Sequence, residues 1–515
     1  MARSRDRNDT MNSGVERKAA TAAILKKRWI IWSSLVVVYL LSHFHRVAPA
    51  VIAEDLMRSF QTTGALLGGL ASAYFYTYAL MQIPAGVLSD TLGGRVTITI
   101  GTVVTGIGAI LFGASSSLSA CYAGRLLVGM GVSVMMVNIM RICVEWFRPN
   151  ELGFIAGLTT TMGGLGGLLA ATPLSFLVDA LSWRVAFVLI GILSIGLAAV
   201  CWRAVRNRPQ DCGLPSLTDG VEAEGPDQTE TRGHGDTGTR RKEETEKRRN
   251  GDEKTNGQVG LQGMNGETKE HLPLGNAIGA DAAHPIRRIW QDLKVVLGNP
   301  YTWPPFFSFF AIYSTLMAFL GLWGIPFLTQ IYGLSNQEAA NHMMMISLGL
   351  IAGGPLTGHL SDRILSRRKT PYVLYTLFYA AIWGVICFAG DGRPPSTFLY
   401  PICFFMGFFS STFVLTLVCS KEVNPPHVAG IAMGTVNAGG FLGGAVFQVL
   451  LGKILDMNWD QAVMNGVRVY PLGAYRVAFL ACFAATIMGL GASLLIKETR
   501  CRNIHAFPDP ALDKL

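Results

Sequence analysis

The chain has 515 residues, half of them hydrophobic and only 15% charged, with a formal net charge of +9. Soluble domains carry roughly 25% charged residues, so the deficit excludes an ordinary water-soluble fold and points to lipid as the solvent. The basic excess is spread along the chain as a topology signal and gives no reason to invoke nucleic acid. Residues 1–28 read as a polar tail closed by Lys26-Lys27-Arg28. Apolar runs follow at 29–52, 66–88, 96–116, 119–142, 153–178 and 184–204, each long enough to cross ~30 Å of hydrocarbon as a helix. From 207 to 289 the composition turns to Gly, Glu, Lys, Arg, Thr and Asp with almost no aromatics. Such a stretch buries too little apolar surface to offset its ordering entropy, so a disordered tether is expected there. The runs resume at 303–330, 341–360, 372–390, 398–419, 428–452 and 474–496, and 501–515 is a second tail. The expected fold is therefore all-α, with twelve membrane spans in two six-helix bundles, 29–206 and 290–500.

Arg95, Arg148, the tether, Arg367-Arg368-Lys369, Lys421, Lys497 and Arg500 all fall on the side of the N-terminal tail. The positive-inside rule assigns that side to the cytoplasm, so both termini and the tether of this multi-pass cell-membrane protein are expected there. The nine Cys lack metal or redox spacing and read as small apolar fillers. No Gly-rich loop followed by Lys is present to cradle ATP, and no nucleophile–base pair suggests a membrane enzyme. No cofactor or metal is expected.

Two hairpins repeat across the halves. Gly86 and Asp90 run into Gly93-Gly94-Arg95 after the second span, and Gly358, Asp362 and Arg363 run into Arg367-Arg368-Lys369 after the eighth. Ser182-Trp183-Arg184-Val185-Ala186-Phe187 opens the sixth span as Ala474-Tyr475-Arg476-Val477-Ala478-Phe479 opens the twelfth. The glycine clusters Gly163-Gly164-Leu165-Gly166-Gly167 and Gly439-Gly440-Phe441-Leu442-Gly443-Gly444 form a third pair. A membrane chain built twice in this way places a solute path between its halves.

The Gly86-x-x-x-Asp90-x-x-Gly93-Gly94-Arg95 hairpin resembles the signature of the major facilitator superfamily, and Arg125-x-x-x-Gly129-x-Gly131 is similar to that superfamily's second motif. The resemblance implies a secondary transporter working by alternating access, with Gly86, Asp90, Gly93, Arg95, Arg141, Gly358, Asp362 and Arg363 holding one face shut. Asp90 is placed to face a helix N-terminus of the other half or to pair with Arg141. Thr91 and Gly94 stand where the signature usually carries basic residues, which weakens the first-half latch. Gly164, where drug exporters of this superfamily carry Pro, counts against a drug/proton antiporter.

Ionisable groups at membrane depth are costly enough to mark function. Tyr39, His43 and Arg46 share one face of the first span, while His45 points more than a quarter-turn away. Arg46 is suited to fork two hydrogen bonds onto an anion, and His43 to couple transport to protons. Alternatively Arg46 snorkels to the interface or pairs with Glu54 or Asp55. Arg125 is a second candidate for proton coupling. Tyr74, Tyr78, Gln82, Tyr313, Trp323 and Asn437 complete the candidate lining. A first-span Arg, with Glu145-Trp146-Phe147-Arg148-Pro149-Asn150-Glu151, resembles the organophosphate:phosphate antiporter and anion:cation symporter branches. The organophosphate branch adds a seventh-span Arg, but Trp303–Gln330 holds no Arg or Lys, so a small carboxylate fits better. Expected partners are a small organic anion, protons and the bilayer, in a monomer. The alternatives are an export antiporter for another solute, or a transporter-like sensor or scaffold.

Overall fold

The structure, a computed structural model, describes residues 2–148, 151–215 and 283–505; the side chains of 2–21, 83, 90, 153 and 283–289 fall outside that description. The first six spans are Ala22–Ala50, 64–92, Gly94–Ala114, Leu118–Trp146, Phe154–Leu181 and Trp183–Ala204. The second six are Pro300–Tyr332, Asn336–Leu365, Lys369–Gly392, Ser396–Glu422, Pro426–Met457 and Leu472–Leu494. The protein is thus a twelve-helix membrane protein. Below, the face carrying the tether is the tether side and the opposite one the far side.

Three far-side helix starts are capped by side chains, which satisfies backbone donors that lipid cannot. Thr63 Oγ1 accepts from Leu66 N–H at 3.2 Å and Ser117 Oγ from Ala120 N–H at 3.3 Å. Ser335 and Glu338 form a reciprocal capping box. The second span breaks at Met81 into Gly64–Leu80 and Gln82–Leu92. Pro84 explains the break, because it lacks an N–H and its ring crowds the carbonyl four residues earlier, that of Leu80.

The repeated glycine clusters show that the halves are related. A side chain at Gly163 would strike His43 and one at Gly166 the Leu40 carbonyl, both in the first span; Gly164 faces Ile351 of the eighth. Correspondingly, Gly440 faces Phe309 and Gly443 the Phe310 carbonyl, both in the seventh span, while Gly444 faces Phe75 of the second. Fifth packs on first and eighth as eleventh packs on seventh and second, which is the contact pattern of a pseudo-two-fold axis.

The expected tails and tether need adjusting at their edges. The first helix has helical backbone from Ala2 onward. Within 207–289, Pro209–Cys212 forms a 3₁₀ turn and Ala283–Gly298 an α-helix, the tether helix; 216–282 lies outside the described residues. Residues 501–505 are also described, and they lie against the second bundle: Ile504 N–H donates to Glu422 O at 3.0 Å.

Candidate binding site

Near mid-depth, the break at Met81, a π-helical segment at Phe319–Trp323 and the glycines around Phe441 leave room for long side chains from both halves. Arg46, 7% exposed, occupies the centre. Its Nη1 lies 3.2 Å from His43 Nε2, and its Nε donates to Tyr74 Oη at 3.4 Å. The guanidinium carbon stands 4.9 Å from the centroid of Phe441 and 5.6 Å from that of Tyr78. Those two rings stack at 3.8 Å across the halves, and Tyr313 lies 5.2 Å from Phe441. Tyr39 meets His43 edge-on at 4.5 Å. The buried Tyr313 hydroxyl has no hydrogen-bond partner of good geometry among the described residues.

Among the described residues no carboxylate pairs with Arg46. Glu54 instead accepts from Thr329 Oγ1 at 2.7 Å, and Asp55 faces Arg58 at 3.8 Å. A guanidinium withdrawn from water without a counter-charge costs several kcal/mol in any low-dielectric site. The aromatic faces of Tyr78 and Phe441 offset part of that cost, each by about 0.5–2 kcal/mol. An anion bound by the free edge of the fork would offset the remainder.

The remaining candidates divide. Gln82 donates to Tyr78 O and accepts from Asn437 Nδ2, both at 3.4 Å, so this pair closes the tether side of the aromatic cluster across the halves. Arg125 donates to His45 O at 2.9 Å and lies 5.1 Å from the Tyr74 ring. It therefore meets the same tyrosine that Arg46 touches. Trp323 belongs elsewhere: its Nε1 donates to Gln448 O at 3.2 Å, and its ring fills the space beside Gly64. These contacts set it on the far side of the site, where it plugs the path rather than lining the site. Phe441 was missed in the sequence; its only signal is being the one aromatic residue inside a glycine cluster.

The ends of the molecule complete the geometry. On the far side, Asp456 Oδ1 accepts from Gly64 N–H at 3.0 Å and Tyr470 Oη at 2.8 Å, and its Oδ2 accepts from Ala65 N–H at 2.7 Å. Ser72 Oγ donates to Ala445 O at 2.5 Å, Thr172 Oγ1 to Asn341 Oδ1 at 2.6 Å, and Asn336 Nδ2 to Val51 O at 3.0 Å. All but the Tyr470 bond cross between halves. They form a seam from the level of the site outward.

On the tether side the hairpin residues are tied within their own halves. Arg95 donates to Trp202 O and lies 4.2 Å from that ring, while its N–H donates to Asn207 Oδ1 at 2.8 Å. Gly93 takes a positive φ of 78° to make this turn. Arg141 donates to Ser89 Oγ at 3.2 Å, and the Asp90 side chain lies outside the described residues. Gly86 and Gly358 have open space where a Cβ would stand. Asp362 pairs with Arg368, and the neighbouring Arg363 is exposed. The expected latch role of Arg95 and Asp362 across the halves is thus not what this conformation shows: both brace one half internally.

Comparison with known proteins fits this architecture. The Major Facilitator Superfamily family model matches residues 35–448. The membrane sensor protein UhpC of Salmonella typhimurium is 26% identical over 437 residues, covering 82% of this chain and 84% of that protein. A probable hexose phosphate transport protein of Chlamydia pneumoniae is 24% identical, covering 90% of this chain and 92% of that one. Among solved structures, a bacterial homologue of the human lysosomal transporter Spinster superposes with a TM-score of 0.65 at 15% identity, covering 94% and 99% of the two chains. The family match spans most of the chain, which therefore belongs to the Major Facilitator Superfamily.

Proposed function

We propose that this member of the Major Facilitator Superfamily, a secondary transporter, moves a small organic anion by alternating access, with Arg46 as the charge that selects it. The single observation carrying this reading is a buried guanidinium at the interface of the halves, walled by Tyr74, Tyr78, Tyr313 and Phe441, with no carboxylate paired to it among the described residues. One fork suits a carboxylate or another singly charged headgroup, and the apolar seventh span argues against a phosphate ester. His43, within 3.2 Å of Arg46, is the group we assign to proton coupling; Arg125, bonded to His45 O, takes a supporting place. Solute, protons and bilayer are the partners, and the chain works as a monomer. The basic tether side faces the cytoplasm, so the seam is the extracellular gate and is closed in this conformation.

Uptake of labelled carboxylates into proteoliposomes, with and without a proton gradient, tests this directly. Arg46→Ala should lower uptake about 100-fold, equivalent to ~3 kcal/mol for a charge-assisted pair. Arg46→Lys should recover part of it. Normal uptake by Arg46→Ala would remove the anion assignment. A solute sensor built on the same site is the second reading, favoured by the likeness to the Salmonella sensor protein. It requires Arg46-dependent binding with no uptake.

A further inference from the structure

The tether helix, Ala283–Gly298, has no part in the transport cycle described so far, yet its sides are unequal. Val296 is fully buried against Val428 and Ala432 at the start of the eleventh span. The same helix leaves Trp290 60% and Leu297 40% exposed. Seven residues separate those two, so they share one stripe, and exposed Lys294 borders it one turn beyond Trp290. Arg287 holds the same register position two turns before Lys294.

The helix is held at a fixed level. Trp303 Nε1 donates to Leu297 O at 3.1 Å, and Asn299 Nδ2 donates to Val423 O at 2.7 Å and to Asn424 Oδ1 at 3.0 Å. Pro300 then opens the seventh span, so the helix lies where that span leaves the hydrocarbon. Tyr301, at the same level and 40% exposed, has Lys497 Nζ 5.5 Å from its ring.

An exposed Trp and Leu edged by basic residues at this depth match the headgroup layer, where an indole sits between acyl carbons and water and ammonium groups meet phosphate. We infer that the tether helix docks on the tether-side leaflet, with Trp290 and Leu297 among the upper acyl carbons and Lys294 on anionic lipid. Every element it grips belongs to the second bundle.

The test uses the full chain in nanodiscs, with Cys212 and Cys501 replaced by Ser because the other seven cysteines are buried. Trp290→Cys labelled with bimane should be quenched by lipids brominated high on the acyl chain and shielded from aqueous iodide. Gln291→Cys, an exposed position a helical step away, should show the reverse. In native mass spectrometry, Lys294→Gln should lower retained phosphatidylglycerol about fivefold. Iodide quenching at 290 equal to that at 291 would put the stripe in water and overturn the proposal. Protection from both quenchers would mean that a protein segment covers it, which overturns it equally. Unchanged lipid retention in Lys294→Gln would overturn the anionic-lipid assignment.

Discussion

At the far seam the Asp456 carboxylate reaches from the eleventh span to the first N–H groups of the second, 392 residues away in sequence from Gly64. At the tether end Glu422 stays inside one half, held by Arg368 Nη2 at 2.8 Å and by Thr499. Both carboxylates meet several donors, and both donor sets offset a desolvation cost. They differ in whose donors they use. Bonds that span the halves must break in each cycle, while bonds inside a half must not. Asp456 keeps its pair with Arg468 of the same half at 3.3 Å, so only its bonds to the helix N–H groups break, each of them modest and easily re-formed. A buried ion pair suits the bonds that must hold.

The sharpest way to break this contrast is Arg368→Gln. It would leave Glu422 buried without its cation, costing about 3–5 kcal/mol of second-half stability. Thermal unfolding should show a clearly lower Tm with the seam equilibrium unmoved. A stable variant with an opened seam would reverse the roles given to the two ends. Next comes Asp456→Asn, which weakens the seam by about 1.5–3 kcal/mol and lowers the Tm less than Arg368→Gln does. Its readout is the labelling rate of Leu67→Cys, a buried seam position, by a membrane-impermeant maleimide; a rise of about 10- to 100-fold is expected. An unchanged rate would mean that Asp456 is no latch.

Gly68→Ala sharpens the same point sterically, because its new Cβ would meet the Gln448 carbonyl on the eleventh span. Overpacking of about 1–3 kcal/mol should open the seam in the direction of Asp456→Asn, again read by labelling at position 67. The smallest effect belongs to Glu151 in the loop after the fourth span. Partial burial acts to raise its carboxyl, but the Arg148 N–H and the Arg28 guanidinium at 2.7 Å outweigh that and hold it below the ordinary value. A depressed carboxylate contributes stability above its unfolded value and loses it as the pH falls through the folded one. A Tm–pH series should therefore show a loss within about 1 kcal/mol toward acid that Glu151→Gln lacks. Identical profiles would remove the pair from the stability of the loop.

The spans were legible because lipid demands long apolar runs, and the doubling was legible because hairpins and glycine clusters recur in order. The face of the first span was also readable, since Tyr39, His43 and Arg46 obey helical spacing. Contacts between halves were not. Asp456 looks like an ordinary interfacial carboxylate until the second span is set beside it. Trp323 reads in the sequence only as an aromatic group in an apolar span, which carries no information on depth; it lies beside Gly64 and Gln448. Arg95 and Asp362 carry the expected charges, but sequence gives no distance to the opposite half.

Distances between paired spin labels test the alternation of the two ends most directly. One pair sits at Arg58 and Met464, exposed on opposite halves of the far side, and the other at Arg203 and Arg500 on the tether side. Saturating solute or Asp456→Asn should lengthen the first distance while shortening the second. Two distances that stay fixed, or lengthen together, would contradict a seam that opens as the tether side closes.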